Sequence, residues 1–226
     1  MLELALDRPR RGGYELLCLG AHADDIELGC GGTIIRLLGE VPVARVTWVV
    51  LSGNPDRARE ALRGARGILG RRPGVRVLQQ AFRDGFFPYT AEPIKEFFER
   101  LKREVRPDLV FTHYREDRHQ DHRLVSDLTY NTFRAHLVLE YEIMKMDGDL
   151  GRPNVYVPLE AGTVRRKIRL LETCYASQRD KGWFDAEAFR GLLRLRGIEA
   201  GSPSGWAEAF HGRRILLGSR APGIRR

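Results

Sequence analysis

Short apolar runs alternate with amphipathic segments through the first half of the chain. Apolar runs that end at glycine or at polar residues are typical of buried strands, and apolar residues three or four positions apart are typical of helices. The predicted strands are 14–20, 45–51, 75–78 and 108–112. The predicted helices are 28–38, 55–69, 93–105 and 122–132. This alternation favours an α/β, Rossmann-like fold with a mostly parallel β-sheet flanked by helices.

The C-terminal part of the chain has a mixed pattern. The segments that resemble strands or helices are 140–144 and 155–157 around a turn at 147–151, then 164–174, 185–195 and 207–217. Because no linker separates this part from the rest, we expect it to form a smaller mixed cap or edge within a single domain over residues 1–226. Residues 1–13 and 218–226 are expected to be flexible.

Composition is that of a globular protein, with 42% hydrophobic and 30% charged residues. No apolar run approaches the ~18–20 residues that span a bilayer. The first 13 residues lack the apolar segment of a secretory signal. Cys18, Cys30 and Cys174 show no CxxC spacing, which argues against a disulfide framework and against a thiolate zinc cluster. We therefore expect a cytoplasmic protein with reduced thiols and no membrane span.

The formal net charge of +8 raises the question of nucleic-acid binding. Basic residues are spread along the chain and acidic residues lie between them, so the densest basic segments, 71–72, 165–167 and 213–226, are short. The chain carries no zinc-finger, helix-turn-helix or RNA-binding signature. We therefore expect a solvated basic surface and no nucleic-acid partner.

Two polar loops follow predicted strands, the first at 20–27 and the second at 113–122. Together they hold four of the six histidines of the chain. Ligands of a parallel α/β sheet bind at the carboxyl ends of its strands. Both loops are therefore expected to contribute to one site.

Each loop places two metal-ligand types three positions apart, His22 with Asp25 and His119 with His122. Residues at this spacing share a face of a helical first turn. Two histidines and a carboxylate suit a catalytic zinc that keeps one position for water, whose pKa falls to about 7. Asp24 supplies the second carboxylate that a general base requires. Taken singly, Asp24 or Asp25 would also serve as a helix N-cap, and either histidine of the second loop would also be an ordinary surface residue.

The motifs HADD at 22–25 and HQDH at 119–122 resemble those of the PIG-L/LmbE family of zinc-dependent N-acetylglucosaminyl deacetylases. The resemblance covers most of the chain and implies the LmbE-like form of the α/β fold. Further matches are Arg57-x-x-Glu60, Leu69-Gly70, Asp84, Ser177-Gln178 and the segment 206–210.

Residue by residue, the resemblance implies a ligand set and a set of catalytic roles. The implied zinc ligands are His22, Asp25 and His122. Asp24 would be the general base, protonated His119 would stabilise the oxyanion, and Asp121 would orient a histidine. Arg57 and Asp84 correspond to positions that contact the sugar in the family.

The chain departs from the family pattern at three places. Ala23 and Gln120 stand where proline is frequent, and neither position is a ligand. The tyrosine that some members place before the second motif is absent, with Asp117 and Arg118 in that region. This last departure leaves the oxyanion partner and the substrate open.

Some residues keep a purely structural alternative. Arg57 would also pair with Glu60 one helical turn on, and Asp84 would also fit a simple turn. His113 is assigned a structural role, and Glu208 has no assigned role.

The expected function is zinc-dependent removal of an acetyl group from an N-acetylated aminosugar (N-acetylglucosaminyl) conjugate. One alternative is a zinc amidase acting on a thiol–sugar conjugate or a non-sugar amide. Another is a basic binding module without metal. Measured metal content distinguishes the binding module from the two enzymes. The acid released distinguishes the deacetylase from the amidase. The resemblance is also compatible with a homo-oligomer.

Overall fold

A seven-stranded β-sheet with helices on both faces forms the structure, a computed structural model that describes residues 3–6, 9 and 12–216. The strands are β1 (Tyr14–Gly20), β2 (Val43–Ser52), β3 (Val75–Phe82), β4 (Leu109–His113), β5 (Leu137–Tyr141), β6 (Val155–Pro158) and β7 (Ala207–Gly212). The α-helices are α1 (Asp25–Glu40), α2 (Pro55–Leu69), α3 (Ala91–Glu104), α4 (Gln120–Thr132), α5 (Ala161–Cys174) and α6 (Ala186–Glu199). Two 3-10 turns are Phe87–Thr90 and Ala176–Gln178. The α/β fold class is confirmed.

The strand order is β3-β2-β1-β4-β5-β7-β6. The pairs from β3 to β5 are parallel, whereas β7 runs antiparallel to both β5 and β6. From β1 the chain first builds outward to β2 and β3, then returns to place β4 on the other side of β1. The loops that follow β1 and β4 therefore leave the sheet in opposite directions and open a crevice between them.

The central strands are buried on both faces of the sheet. In β1, Leu16 and Cys18 pack in a core shared with α1, α2, α5 and α6. Leu17 and Leu19 pack in a second core shared with α3 and α4. Burial on both faces explains why β1 is a continuous apolar run rather than an alternating one. Among the residues described, no helix has the length and apolar character needed to cross a membrane.

The predicted hairpin between the C-terminal strands is wrong. β5 ends at Tyr141 rather than at 144, because its residues pair in register with β4 from Leu109↔Leu137 to His113↔Tyr141. β7 lies between β5 and β6 and pairs with both, so the two do not meet around a turn. The predicted mixed cap is thus the antiparallel edge of the same sheet. The expected flexibility of 218–226, and of part of 1–13, lies outside the described residues.

A buried ion pair joins this antiparallel edge to α1. Glu208 of β7 accepts hydrogen bonds from the backbone N–H groups of Gly32 (2.8 Å) and Thr33 (2.6 Å) and from Lys167 Nζ (2.6 Å). Lys167 Nζ also donates to the carbonyl oxygen of Leu28 at 2.6 Å. Glycine at position 32 leaves room for this contact, because a Cβ there would lie 2.5 Å from Leu159 Cδ1 and 2.9 Å from Glu208 Oε1 and would displace them. Glu208 therefore has a structural role.

Replacing Glu208 by alanine is expected to lower the free energy of unfolding by about 3–5 kcal/mol, because Lys167 stays buried without its counter-charge. The measurement is urea unfolding followed by circular dichroism. Glu104→Ala is the control. It removes a half-exposed partner of Arg76 and should cost less than about 1 kcal/mol. Equal losses in the two variants would contradict the assigned role of Glu208.

Candidate active site

Both polar loops turn directly into helices at the crevice. β1 and β4 are neighbours, so the segment after each strand starts from the same edge of the sheet. The first loop ends with Asp24 at the N-cap of α1, and α1 begins at Asp25. The second ends with His119 at the N-cap of α4. The predicted site residues are therefore brought together by the first turns of two helices.

The side chains of His22, Asp25 and His122 converge on one point. His22 Nδ1 lies 3.0 Å from His122 Nε2. Asp25 Oδ2 lies 3.4 Å from His22 Nδ1, and the other carboxylate oxygen, Oδ1, lies 3.5 Å from His122 Nε2. Atoms bound to one tetrahedral zinc at ~2.0–2.1 Å are separated from one another by roughly 3.4 Å. The contacts of His122 with His22 and with Asp25 are near this spacing, and two groups that include these residues could hold a metal, His22 with His119 and His122, and Asp25 with His113 and His122.

In His22 and His122, one ring nitrogen faces the other histidine (the inner nitrogen) and the second one (the outer nitrogen) faces a carboxylate. His122 Nδ1 lies 2.9 Å from Asp117 Oδ2. His22 Nε2 lies 3.3 Å from Asp121 Oδ2 and 3.1 Å from Asp84 Oδ1. When the outer N–H donates to a carboxylate, the inner nitrogen keeps its lone pair for a metal, as in most histidine ligands. Contacts of this kind are typical of histidines that bind a metal, and the orienting role of Asp121 stays a prediction.

The buried groups of the cluster differ in protonation. Burial opposes a charge on His22, but Asp25, then Asp121 and Asp84, raise the pKa of His22 well above its usual value, so His22 would release a proton on binding a metal. Burial, then the charge of His113, lowers the pKa of His122 to about 3, so its imidazole is neutral. Burial opposes the charge on Asp25, but His122, His113 and His22 together hold its pKa well below the usual range. A neutral imidazole beside an ionised carboxylate is the form in which both groups bind metal.

Two further residues belong to this cluster, although the sequence did not single them out for it. His113, assigned only a structural role from sequence, has its Nε2 atom 3.2 Å from Asp25 Oδ2, and its ring stacks on that of His122 at 3.9 Å. Asp117 holds His122, as described above. The available signals were a histidine at the buried end of a strand and an acidic residue five positions before a proposed ligand.

Asp24 is 4% exposed and has one oxygen without a partner. Its Oδ1 accepts a 2.6 Å hydrogen bond from Arg57 Nη2, whereas no described residue donates to Oδ2. Burial raises the pKa of Asp24 against the opposing charge of Arg57. The side chain makes no capping bond to α1, so the simple N-cap interpretation does not explain it. A buried acceptor without a hydrogen-bond partner costs free energy of folding. A carboxylate oxygen to which nothing donates is also free to accept a proton, as a general base must.

The contacts of His119 favour a neutral imidazole, whereas the predicted role uses a protonated one. Its Nδ1 accepts a 3.2 Å hydrogen bond from the backbone N–H of Asp121, which leaves the ring proton on Nε2. Burial, followed by the charge of His22, lowers the pKa of His119. The ring lies 4.8 Å from that of His22 and 4.5 Å from that of His122. His119 is thus a hydrogen-bond donor beside the ligand set.

The two predicted sugar contacts differ in accessibility. The Asp84 side chain is 71% exposed while its Oδ1 reaches His22, so it is open to a substrate at the site. Its loop is held by Asp121, which accepts the N–H of Gly85 at 2.7 Å. The Arg57 side chain is 16% exposed and pairs with both Asp24 and Glu60, so the structural alternative for Arg57 is realised.

Fold and site together define an α/β protein with a candidate metal centre at the switch point of its sheet. The profile of the PIG-L family, described as GlcNAc-PI de-N-acetylase, matches residues 17–133, just over half of the 226 residues. This range includes both motifs. The chain therefore belongs to the PIG-L family.

Individual relatives share parts of the sequence or the whole fold. YaiS of Escherichia coli K12, described as an uncharacterized deacetylase, is 33% identical over 126 residues, which span 49% of this chain and only 63% of YaiS. The N,N'-diacetylchitobiose deacetylase of Pyrococcus horikoshii superposes with a TM-score of 0.66 at 21% identity, covering 90% of this chain and 85% of that one. GalB of Pseudomonas putida KT2440, a 4-carboxy-2-hydroxymuconate hydratase, superposes with a TM-score of 0.73 at 18% identity, covering 92% of this chain and 99% of that one. At these identities the two solved structures establish the fold.

Asp117→Ala is expected to weaken zinc binding about 10–100-fold, because His122 loses the carboxylate that fixes its orientation. Competition with a chromophoric chelator measures the affinity. Asp127→Ala is the matched control, since Asp127 lies on α4 but is exposed and faces Arg115 at 3.7 Å. Wild-type affinity in Asp117→Ala would show that the Asp117 contact does not support the metal.

Proposed function

We propose that this protein is a zinc-dependent deacetylase that removes the acetyl group from an N-acetylated aminosugar conjugate. The observation that carries the proposal is the cluster of His22, Asp25 and His122 together with the unpartnered, buried oxygen of Asp24, the residue that precedes Asp25 in the chain. Membership of the PIG-L family supports the reaction class. The names of the Pyrococcus horikoshii neighbour and of the family profile both refer to acetylated aminosugars.

His22, Asp25 and His122 would hold the metal. The mixed nitrogen and oxygen donors suit zinc, and three protein ligands are the usual number at a catalytic zinc site. Zinc bound there supplies Lewis acidity toward an amide carbonyl and lowers the pKa of a water molecule to about 7. The protein holds the two imidazoles in place through Asp117 and Asp121.

Asp24 is proposed to carry the proton through the reaction. Its free Oδ2 would accept a proton from the attacking water as oxygen adds to the amide carbon. The same oxygen would return the proton to the amine nitrogen as the C–N bond breaks, which leaves acetate and a free amine. Burial favours this role, because a carboxyl group with a raised pKa gives up a proton less readily between the two steps.

His119 is proposed to stabilise the negative charge on the amide oxygen. A neutral imidazole with its proton on Nε2 donates one hydrogen bond, which suffices for this role. Asp84 is proposed to accept hydrogen bonds from sugar hydroxyls, since it is exposed at the same point of the crevice. A zinc amidase acting on a thiol–sugar conjugate or a non-sugar amide would use the same proton transfer and differ only in these substrate contacts.

The wider setting is also proposed rather than observed. Cys18, Cys30 and Cys174 are buried and unpaired, which supports a reducing, cytoplasmic location. The partner is a small-molecule N-acetylaminosugar conjugate, with no nucleic acid. A homo-oligomer remains part of the proposal.

Asp24→Ala is expected to lower kcat by about 10²–10⁴-fold while keeping zinc, because it removes the base and leaves the ligands. His22→Ala should lose zinc itself. His119→Ala should keep zinc and lower kcat by about 10²–10³-fold. The measurement is free-amine release from a panel of N-acetylglucosaminyl conjugates, with zinc and with a chelator, alongside metal analysis.

Each outcome of this experiment is informative. Full activity in Asp24→Ala would show that another group is the base. Chelator-sensitive release from non-sugar amides alone would favour the amidase. Asp127→Asn serves as the control, because its side chain is exposed and outside the cluster. A wild-type protein that neither binds zinc nor releases amine would rule out the metal site.

A further inference from the structure

A chain of hydrogen bonds links the C-terminal part of the molecule to Asp24. Ser177, in the 3-10 turn Ala176–Gln178, donates to Glu60 through its backbone N–H (2.9 Å) and its hydroxyl (2.6 Å). Glu60 Oε2 accepts from Arg57 Nη1 at 2.8 Å. Arg57 Nη2 then donates to Asp24 Oδ1 at 2.6 Å. A residue more than a hundred positions away in sequence is thus connected to the carboxylate beside the ligand set.

The three charged groups of this chain are largely shielded from solvent and carry complementary charge, whereas Ser177 at its end is exposed. The side chains of Asp24, Arg57 and Glu60 are 5%, 16% and 6% exposed. Burial opposes the charge on Glu60, but the Ser177 hydrogen bonds and Arg57 lower its pKa, so it is ionised. The planar guanidinium of Arg57 therefore lies between two carboxylates, and such bonds are among the strongest and most directional in proteins.

The position of Arg57 decides which oxygen of Asp24 is free. The Asp24 side chain makes no capping bond, so no backbone group of α1 holds it. Arg57 binds Oδ1, and Oδ2 alone remains without a partner. Arg57 in turn is held at Nη1 by Glu60 and, at 3.1 Å, by the Ser177 hydroxyl. Loss of either contact would let the guanidinium move and the carboxylate rotate.

We propose that Glu60 and Ser177 are positioning residues, which act through Arg57 to hold the Asp24 carboxylate with Oδ2 turned toward the reacting water. The inference rests on the proposed role of Asp24 as the base. It changes the expectation for Arg57. A guanidinium that contacts the sugar affects substrate binding, whereas one that orients the base affects the rate of the chemical step.

The test is steady-state kinetics of zinc-loaded Glu60→Gln and Ser177→Ala on the conjugate that the wild type hydrolyses best. We expect kcat to fall about 10–100-fold in each variant, because a small displacement of a reacting group has effects of this size. KM should change less than about twofold, and zinc content should stay at the wild-type value. Asp56→Asn is the matched control, since it removes an exposed carboxylate that pairs with Arg59 on the same helix.

Two further variants separate positioning from a general loss of structure. Ser177→Thr keeps the hydroxyl and should restore most of kcat. In an Arg57→Lys background, which lacks the planar fork, Glu60→Gln should cost less than about twofold in kcat, because contacts within one network are not additive. If Glu60→Gln lowered kcat as much in the Arg57→Lys background as in the wild type, Glu60 would not act through Arg57.

A measurement independent of activity is the rotation of the Arg57 guanidinium, followed by nitrogen-15 NMR. Wild-type protein should show hindered rotation, and Glu60→Gln and Ser177→Ala should both release it. Free rotation in the wild type, a raised KM with unchanged kcat, or wild-type kcat in both variants would overturn the inference. If Asp24→Ala is inactive while these two variants keep kcat, only the positioning role fails. Full activity in Asp24→Ala would instead remove the proposed base itself.

Discussion

The buried carboxylate of Asp25 is the group around which the site is organised. A buried charge costs several kcal/mol unless it is paired. Here nitrogens of His22, His113 and His122 lie within 3.5 Å of it, and the N–H of His22 donates to it at 2.6 Å. One of these histidines follows β1, one ends β4 and one lies in α4. The charge is compensated only when the two strands are neighbours, so the candidate metal centre depends on the topology of the sheet.

The fold alone does not decide the reaction. A hydratase and a deacetylase both superpose on this chain over most of its length at low identity. What distinguishes chemistry within such a fold is the arrangement of a few side chains at the crevice. In this chain those are a candidate ligand set, a carboxylate with one oxygen that lacks a partner among the described residues, and a histidine whose Nδ1 accepts a backbone hydrogen bond. Together they suit hydrolysis of an amide.

Local sequence predicted the elements well where local interactions determine them. The predicted and observed bounds of β1 agree. α2 begins after Asn54, whose side chain caps two N–H groups, and ends at Leu69, before Gly70 with φ +65°. The order of β5, β7 and β6 depends on pairing between distant segments, which local periodicity does not contain. Both motifs were visible as loops after strands. The contacts of His113 with Asp25 and of Asp117 with His122 depend on how the segments pack in the folded chain, which the local sequence does not show.

The C-terminal residues contact residues far away in the sequence, and this affects the order in which the parts of the molecule fold. Glu208 bonds backbone groups 175 and 176 positions earlier, and Ser177 bonds Glu60 117 positions earlier. During synthesis the first motif emerges early, but its surroundings are completed only after the final strand is available. Contacts between such distant segments form slowly, because long loops must close first. The residues of the first motif are thus made early but are among the last to reach their final surroundings, and the candidate site is complete only when the antiparallel edge of the sheet has formed.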